Sequence, residues 1–265
     1  MRVYFTKPDV EALRKDYMLV DMHFHSKYSH DSSTPIESIV KRCRELGVSV
    51  ALTDHNSIAG VLAADKMVPG LIRPGIEVCT SEGKDIIPYF YTVAELEEFY
   101  NKVLKPRMKR KTSLQSNASG ISAEELLDEL RRVNCVVSLP HPFAVPPRRS
   151  YRFFSNGNRH LLRHIHAFEV VNETMLHKQN LSALGWAMQF DKAIVGGSDG
   201  HHIKPLGTAF TVAKSQSWEE FLDDVKKKRV AVIGEERNLR HQMMNATNLL
   251  REKARVLKNL RMGGR

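Results

Sequence analysis

The sequence predicts an α/β fold, a barrel of parallel strands with helices between them, and two observations carry that prediction. Short β-rich runs alternate with segments of helical spacing along residues 18–234, the pattern that builds parallel sheets and barrels. Each of five predicted strands also ends in residues able to hold a metal ion: His23 and His25, then His55, Glu77, His141, and Asp199 with His201. An α/β barrel gathers the C-terminal ends of its strands on one face, so these side chains would meet there. One such residue after a strand is commonplace, whereas five strand ends in succession are hard to assign to chance.

Taken in order, residues 1–17 read as a lead-in with a helical turn or two between Pro8 and Lys15, and the first strand ends at Met22. Thr34 as N-cap, Pro35 at the first helical position and Glu37 predict a capped helix start. Its apolar positions are Ile36, Ile39, Val40, Cys43 and Leu46, and Gly47 is the stop. A strand over Val48 to Thr53 leads to Asp54-His55, and a helix follows from Ser57 to Ala64. A strand over Leu71 to Val78 is broken at Pro74-Gly75 and holds Glu77; another spans Ile86 to Tyr91. Thr92 with Glu95 caps a helix to Leu104. Lys105 to Gly120 reads as a long basic loop, and Ser122 opens a helix to about Val133. A strand over Cys135 to Leu139 meets Pro140-His141-Pro142, and residues 144–158 form a second long loop. Ala167 to Val171 and Ala193 to Gly197 read as strands around a helix from Leu181 to Phe190. A helix opened by Ser217 and a strand over Val230 to Ile233 complete the domain, taken as residues 1–234. Trp186 and Trp218 sit in helical patterns and read as core, while His160 and His164 read as surface.

The chemistry starts with His23 and His25. On a strand, residues two apart face the same side, so both imidazoles aim at one point, and neutral imidazole suits zinc, iron, manganese or nickel. The partner ligands are imidazole and carboxylate with no thiolate, a composition that suits a hydrolytic site rather than a structural zinc. Paired ions at such sites sit ~3.5–4 Å apart and act on both the attacking and the leaving oxygen of a phosphoryl group. Asp21 and Asp54 precede ligands and read either as supports that orient imidazoles or as strand-end caps.

The segments His23-Phe24-His25-Ser26-Lys27-Tyr28-Ser29-His30-Asp31, Thr53-Asp54-His55-Asn56, Gly75-Ile76-Glu77, Leu139-Pro140-His141-Pro142 and Gly197-Ser198-Asp199-Gly200-His201 resemble, in order, the motifs of the PHP (polymerase and histidinol phosphatase) family of metal-dependent phosphoesterases. The resemblance implies a distorted (β/α)7 TIM-like barrel holding two or three divalent ions of zinc, manganese or iron. It implies His23, His25, His55, Glu77, His141, Asp199 and His201 as ligands, with His30 preferred over Asp31 for one more, and His201, Asp199 and His55 as the catalytic group. A further family ligand between His141 and Asp199 has His166, Glu169, Glu173 and His177 as candidates. Glu169-Val170-Val171-Asn172 resembles a segment that is structural in the family. The implied activity is a hydrolase that opens phosphate esters with a metal-activated water, acting on a nucleotide, a nucleoside bisphosphate or a short oligonucleotide. A histidinol-phosphatase-like phosphomonoesterase and a non-catalytic, nucleic-acid-associated binding module are the alternatives. Lys27, Arg148, Arg149, Arg152 and His202 are candidates for substrate phosphate.

Composition bounds the partners. With 42% hydrophobic and 26% charged residues, the chain reads as an ordinary globular protein. It has no apolar run of the ~18 residues a bilayer requires and no signal-peptide core, which points to the cytoplasm and away from membranes. Cys43, Cys79 and Cys135 have neither disulfide nor zinc-finger spacing and read as small apolar residues. The net charge of +10 is concentrated at the end: residues 226–265 hold twelve Lys/Arg against three Glu. Residues 235–265 are expected to form a basic helical extension, with one helix from Arg237 to Met262 available for nucleic acid, for a homo-oligomer seam or for packing on the domain.

Overall fold

The computed structural model describes residues 1–108, 119–146 and 149–236. The expected basic helix from Arg237 to Met262, most of the basic loop before Gly120, and Arg148 lie outside them. Among the described residues no helix is long and apolar enough to cross a membrane.

The fold is mixed α/β, and its strands form two sheets instead of a closed barrel. One sheet runs in the order β1 (Arg2–Phe5), β11 (Ala231–Gly234), β10 (Ala209–Ala213), β2 (Met18–Phe24), β3 (Ser49–Leu52) and β4 (Ile72–Pro74). The other runs β5 (Val78–Cys79), β6 (Asp85–Phe90), β7 (Cys135–Leu139), β8 (Ala167–Asn172) and β9 (Ala193–Gly197). The pairs β2–β3, β3–β4, β7–β8 and β8–β9 are parallel, as expected. The barrel expectation is corrected at two places. First, β10 is antiparallel to both β2 and β11, and β6 to both β5 and β7. Second, the ladder breaks where Pro74 ends β4, because proline has no N–H to donate. Beyond it only single bridges, Gly75 with Tyr89 and His55 with Glu77, link the two sheets. On the other side β9 packs against β2, joined at its end by the bridge from Phe24 to Gly200.

Helices cover the sheets where the periodicity placed them. Ile36–Leu46 buries Ile36, Ile39, Val40 and Cys43 and stops at Gly47, whose φ of 68° suits glycine. Thr92 and Glu95 form the expected capping box, and Ser122 and Ser217 cap their helices. Thr34 does not: Pro35 takes the N-cap position without a side-chain bond, and the Thr34 hydroxyl donates to the His201 carbonyl. The loop expected over 144–158 contains a helix, Tyr151–Ser155, because Tyr151 stacks on Phe143 at 4.6 Å and meets the edge of Trp186. Both tryptophans are core residues.

His166, one of the four ligand candidates, is tied to the backbone of β7. Its Nδ1 accepts the Val137 amide at 3.0 Å, which requires a neutral ring. Desolvation of the ring, then Lys226 and Lys192, push its pKa from 6.5 to about 4. The unfolded chain therefore takes up this proton at higher pH than the folded one. The bond's contribution is present above pH 6.5 and is lost as the pH falls toward 4. An asparagine carbonyl at this position would keep the acceptor without titrating, so His166→Asn is expected to gain melting temperature relative to wild type as the pH drops from 7 to 4. A constant difference between the two melting curves would rule out this role.

Candidate metal centre

Five chain segments bring their imidazoles and carboxylates to one point. β2 ends just after His23 and is followed by His25, both fully buried. Their Nε2 atoms lie 3.1 Å apart. Glu77 Oε2 lies 3.2 Å from His23 Nε2 and 3.3 Å from His25 Nε2, and Asp199 Oδ1 lies 3.4 Å from each. Glu77 also reaches outward, with Oε2 3.3 Å from His55 Nδ1 and Oε1 3.1 Å from His141 Nε2. A third group gathers on Asp31, whose Oδ2 lies 3.0 Å from His201 Nε2 and 3.4 Å from His55 Nε2.

These spacings fit cations. Bonds of ~2.0–2.2 Å to nitrogen and oxygen set neighbouring donors roughly 3.0–3.5 Å apart around an ion. Among the described residues, donor atoms close enough to share an ion occur in four sets: His25, Asp31, His55 and His201; His23, His25 and Glu77; His23, His141 and Asp199; and His55, Glu77 and Asp85. His25 Nδ1 is buried with no hydrogen-bond partner. The electrostatics agree. Burial alone would lower the His23 pKa, yet the Asp199, Glu169 and Glu77 carboxylates hold it well above the usual value. Burial likewise opposes ionisation of Glu77, and the His55 and His23 rings reverse that and bring it well below the carboxylate range. The pocket is thus built for positive charge.

All seven residues at the predicted strand ends are brought together. Of the pair His30 and Asp31, Asp31 lies within reach of a shared ion with His25, His55 and His201, while the His30 ring stands 5.1 Å from that of His55 and its Nε2 3.9 Å from Asp31 Oδ2. Ser29 holds Asp31 in place through a 2.7 Å bond to Oδ1. Asp21 and Asp54 do not hold imidazoles. Asp21 accepts from the His23 and Ser198 amides and the Ser198 hydroxyl, and Asp54 from the amide and hydroxyl of Ser26. They fix the backbone on which the ligands ride. Of the four candidates between His141 and Asp199, Glu169 lies against the centre. It lies 3.1 Å from His23 Nδ1, accepts the His141 amide at 2.8 Å and is braced by Asn172 Nδ2. His177 instead pairs with Glu236. Asp85, beside His55 and Glu77, is an addition that the sequence does not signal; it opens β6 with no motif around it.

The substrate candidates are less gathered. Lys27 is exposed beside the Tyr28 ring, His202 is exposed next to His201, and Arg152 lies on the Tyr151–Ser155 helix. Arg149 turns back to donate to the Ala144 carbonyl.

Fold and site together define a mixed α/β protein with a buried His–carboxylate centre fit for divalent ions. The chain belongs to the PHP domain family, whose model matches residues 21–260. It is 29% identical over 244 residues to an uncharacterized protein of Methanocaldococcus jannaschii, covering 91% of this chain and 86% of that one. Among solved structures it resembles the lesion-specific endonuclease Q of Pyrococcus furiosus, with a TM-score of 0.64 at 17% identity. That match covers 82% of this chain and only 57% of the endonuclease. It also resembles a two-domain protein from Bacteroides vulgatus containing a PHP-like metal-dependent phosphoesterase, with a TM-score of 0.57, 14% identity, and 89% and 69% coverage.

Proposed function

We propose that the chain is a metal-dependent phosphoesterase in which His23, His25, Asp31, His55, Glu77, His141, Asp199 and His201 hold two or three divalent ions. The observation that carries this reading is the placement of Glu77, one buried carboxylate whose two oxygens face different imidazole groups, as a bridging ligand must. The ions supply an activated water and neutralise charge on the phosphoryl oxygens. The chain's residues do the rest. Glu169 orients His23 through Nδ1, a support of the kind that raises metal affinity about 10–100-fold. His201, whose side chain is 26% exposed where His25 is sealed, stands at the open side and would complete the ligand group of His25, Asp31 and His55. Lys27 and His202, both exposed and close in sequence to His25 and His201 of that group, would meet substrate phosphate.

A nucleotide or short oligonucleotide is the favoured substrate. The net charge of +10 attracts polyanions, and the endonuclease relative acts on nucleic acid. The test is metal analysis of the purified chain followed by turnover of a panel of phosphomonoesters, nucleoside bisphosphates and short DNA and RNA. Chelation is expected to abolish turnover and re-addition of zinc, manganese or iron to restore it. A metal-loaded chain inert to every phosphoester would leave the binding-module alternative in its place.

A further inference from the structure

At the opposite end of the first sheet lies a cavity of about 420 Å³, lined by Arg14, Lys15, Arg44, Arg73, Asp16 and Ser49 among others. It opens where β2, β3 and β4 begin. On β2, Leu19 lines it and His23 sits four residues on, so the cavity and the metal centre are ~13 Å apart along the strand.

Its charge is unbalanced. Four cations face one carboxylate, Asp16, and among the described residues none of the four sits in an ion pair. Arg73 is the informative one. It is half-buried at the start of the sheet, with Nη2 donating to Ser49 Oγ at 3.2 Å and the guanidinium 5.7 Å from the Trp218 ring. Its Nε is buried without an acceptor. Burial lowers its pKa, only partly offset by Glu219. A partly desolvated guanidinium that Glu219 offsets without closing an ion pair keeps an incompletely compensated charge, and arginine's planar fork is suited to oxyanions of phosphate type. Arg14, Lys15 and Arg44 are exposed at the mouth, where they would add charge without being fixed.

We propose that this cavity binds a multiply charged oxyanion of the phosphate class, separately from the metal centre, with Arg73 as anchor and Arg14, Lys15 and Arg44 as rim. The ligand is either free phosphate or the phosphoryl group of a larger molecule.

The test uses the full, metal-loaded chain, titrated calorimetrically with inorganic phosphate at constant ionic strength, and in a second arm with a nucleoside phosphonate, whose C–P bond resists hydrolysis. Arg73→Gln is expected to weaken the phosphate-binding event by at least about tenfold, the scale of one lost charge-assisted hydrogen bond, with metal content unchanged. Binding of both probes in wild type would assign the site to a phosphorylated molecule, and binding of phosphate alone to the free ion. Titrations that are identical in wild type and Arg73→Gln would overturn the proposal, as would a loss of phosphate binding that tracks a loss of metal. Should Arg73→Gln fail to fold, Lys15→Ala/Arg44→Ala alters only exposed rim positions. It is expected to weaken phosphate severalfold, and an unchanged titration there would overturn the proposal equally.

Discussion

Glu77→Gln is expected to empty at least one ion position and to lower phosphoester turnover by about 10³-fold or more, equivalent to ~4 kcal/mol of transition-state stabilisation. The substitution keeps shape and volume, so the fold should survive. It removes the negative charge among the His23, His25, His55 and His141 rings, all within 3.3 Å of a Glu77 oxygen. It also replaces one oxygen by an NH₂ group, which is a donor and no ligand. Whichever way the amide turns, one imidazole group loses its carboxylate. Metal-to-protein ratio, kcat and far-UV circular dichroism read the three consequences separately. A full metal load in the Glu77→Gln variant would remove Glu77 from the centre and dissolve the bridging assignment.

Much of that centre was legible because its ligands sit at the ends of apolar runs, where a two-residue period tells which side chains share a side. His23 with His25 and the single ligands His55, Glu77, His141 and Asp199 needed nothing more. Other features of the centre depend on contacts that local pattern does not encode. The place of Asp31 beside His55 and His201 follows from a turn in which Ser29 bonds to it, and no periodicity signals such a turn. Glu169 reaches His23 across 146 residues of sequence. Thr34 carries a proper cap signature, yet a tertiary partner, the His201 carbonyl, takes its hydroxyl. The sheet shows the same limit. Strand positions were readable for most elements, but β1, whose residues are alternately exposed and half-buried at a sheet edge, and β10, a uniformly buried run, carry no clear period. Strand direction is set by which neighbours pair, so the antiparallel β6 and β10, and with them the departure from a closed barrel, had no local signal.

Gly197→Ala is expected to damage stability and the metal centre together, although residue 197 offers no ligand. β9 meets β2 so closely there that an added Cβ would lie 2.5 Å from the His23 amide nitrogen, 2.7 Å from His23 Cβ and 2.9 Å from Asp21 Oδ1. These are backbone and braced atoms that cannot swing aside. The segment just beyond is zipped to β2: Ser198 donates twice to Asp21, the Asp199 amide donates to the His23 carbonyl at 2.8 Å, and the His25 amide donates to the Gly200 carbonyl at 3.0 Å. Relief of the overlap would therefore move Asp199 away from His23 and His25, whose Nε2 atoms lie 3.4 Å from its Oδ1, and disturb the set of His23, His141 and Asp199. Overpacking of this kind costs about 1–3 kcal/mol, a large share of a typical domain's ~5–15 kcal/mol. Metal affinity should fall by roughly 10–100-fold, as when support to a ligand is lost. Gly185→Ala is the internal control. It lies within the helix His177–Gln189, an added Cβ meets nothing within 4 Å, and alanine there should stabilise by up to ~1 kcal/mol. Melting temperature and metal content measured on both variants separate a general glycine effect from this contact. If Gly197→Ala melted and bound metal like the wild type, β2 and β9 could not approach as closely as the site requires, and the ligands they carry would have to be positioned by other means.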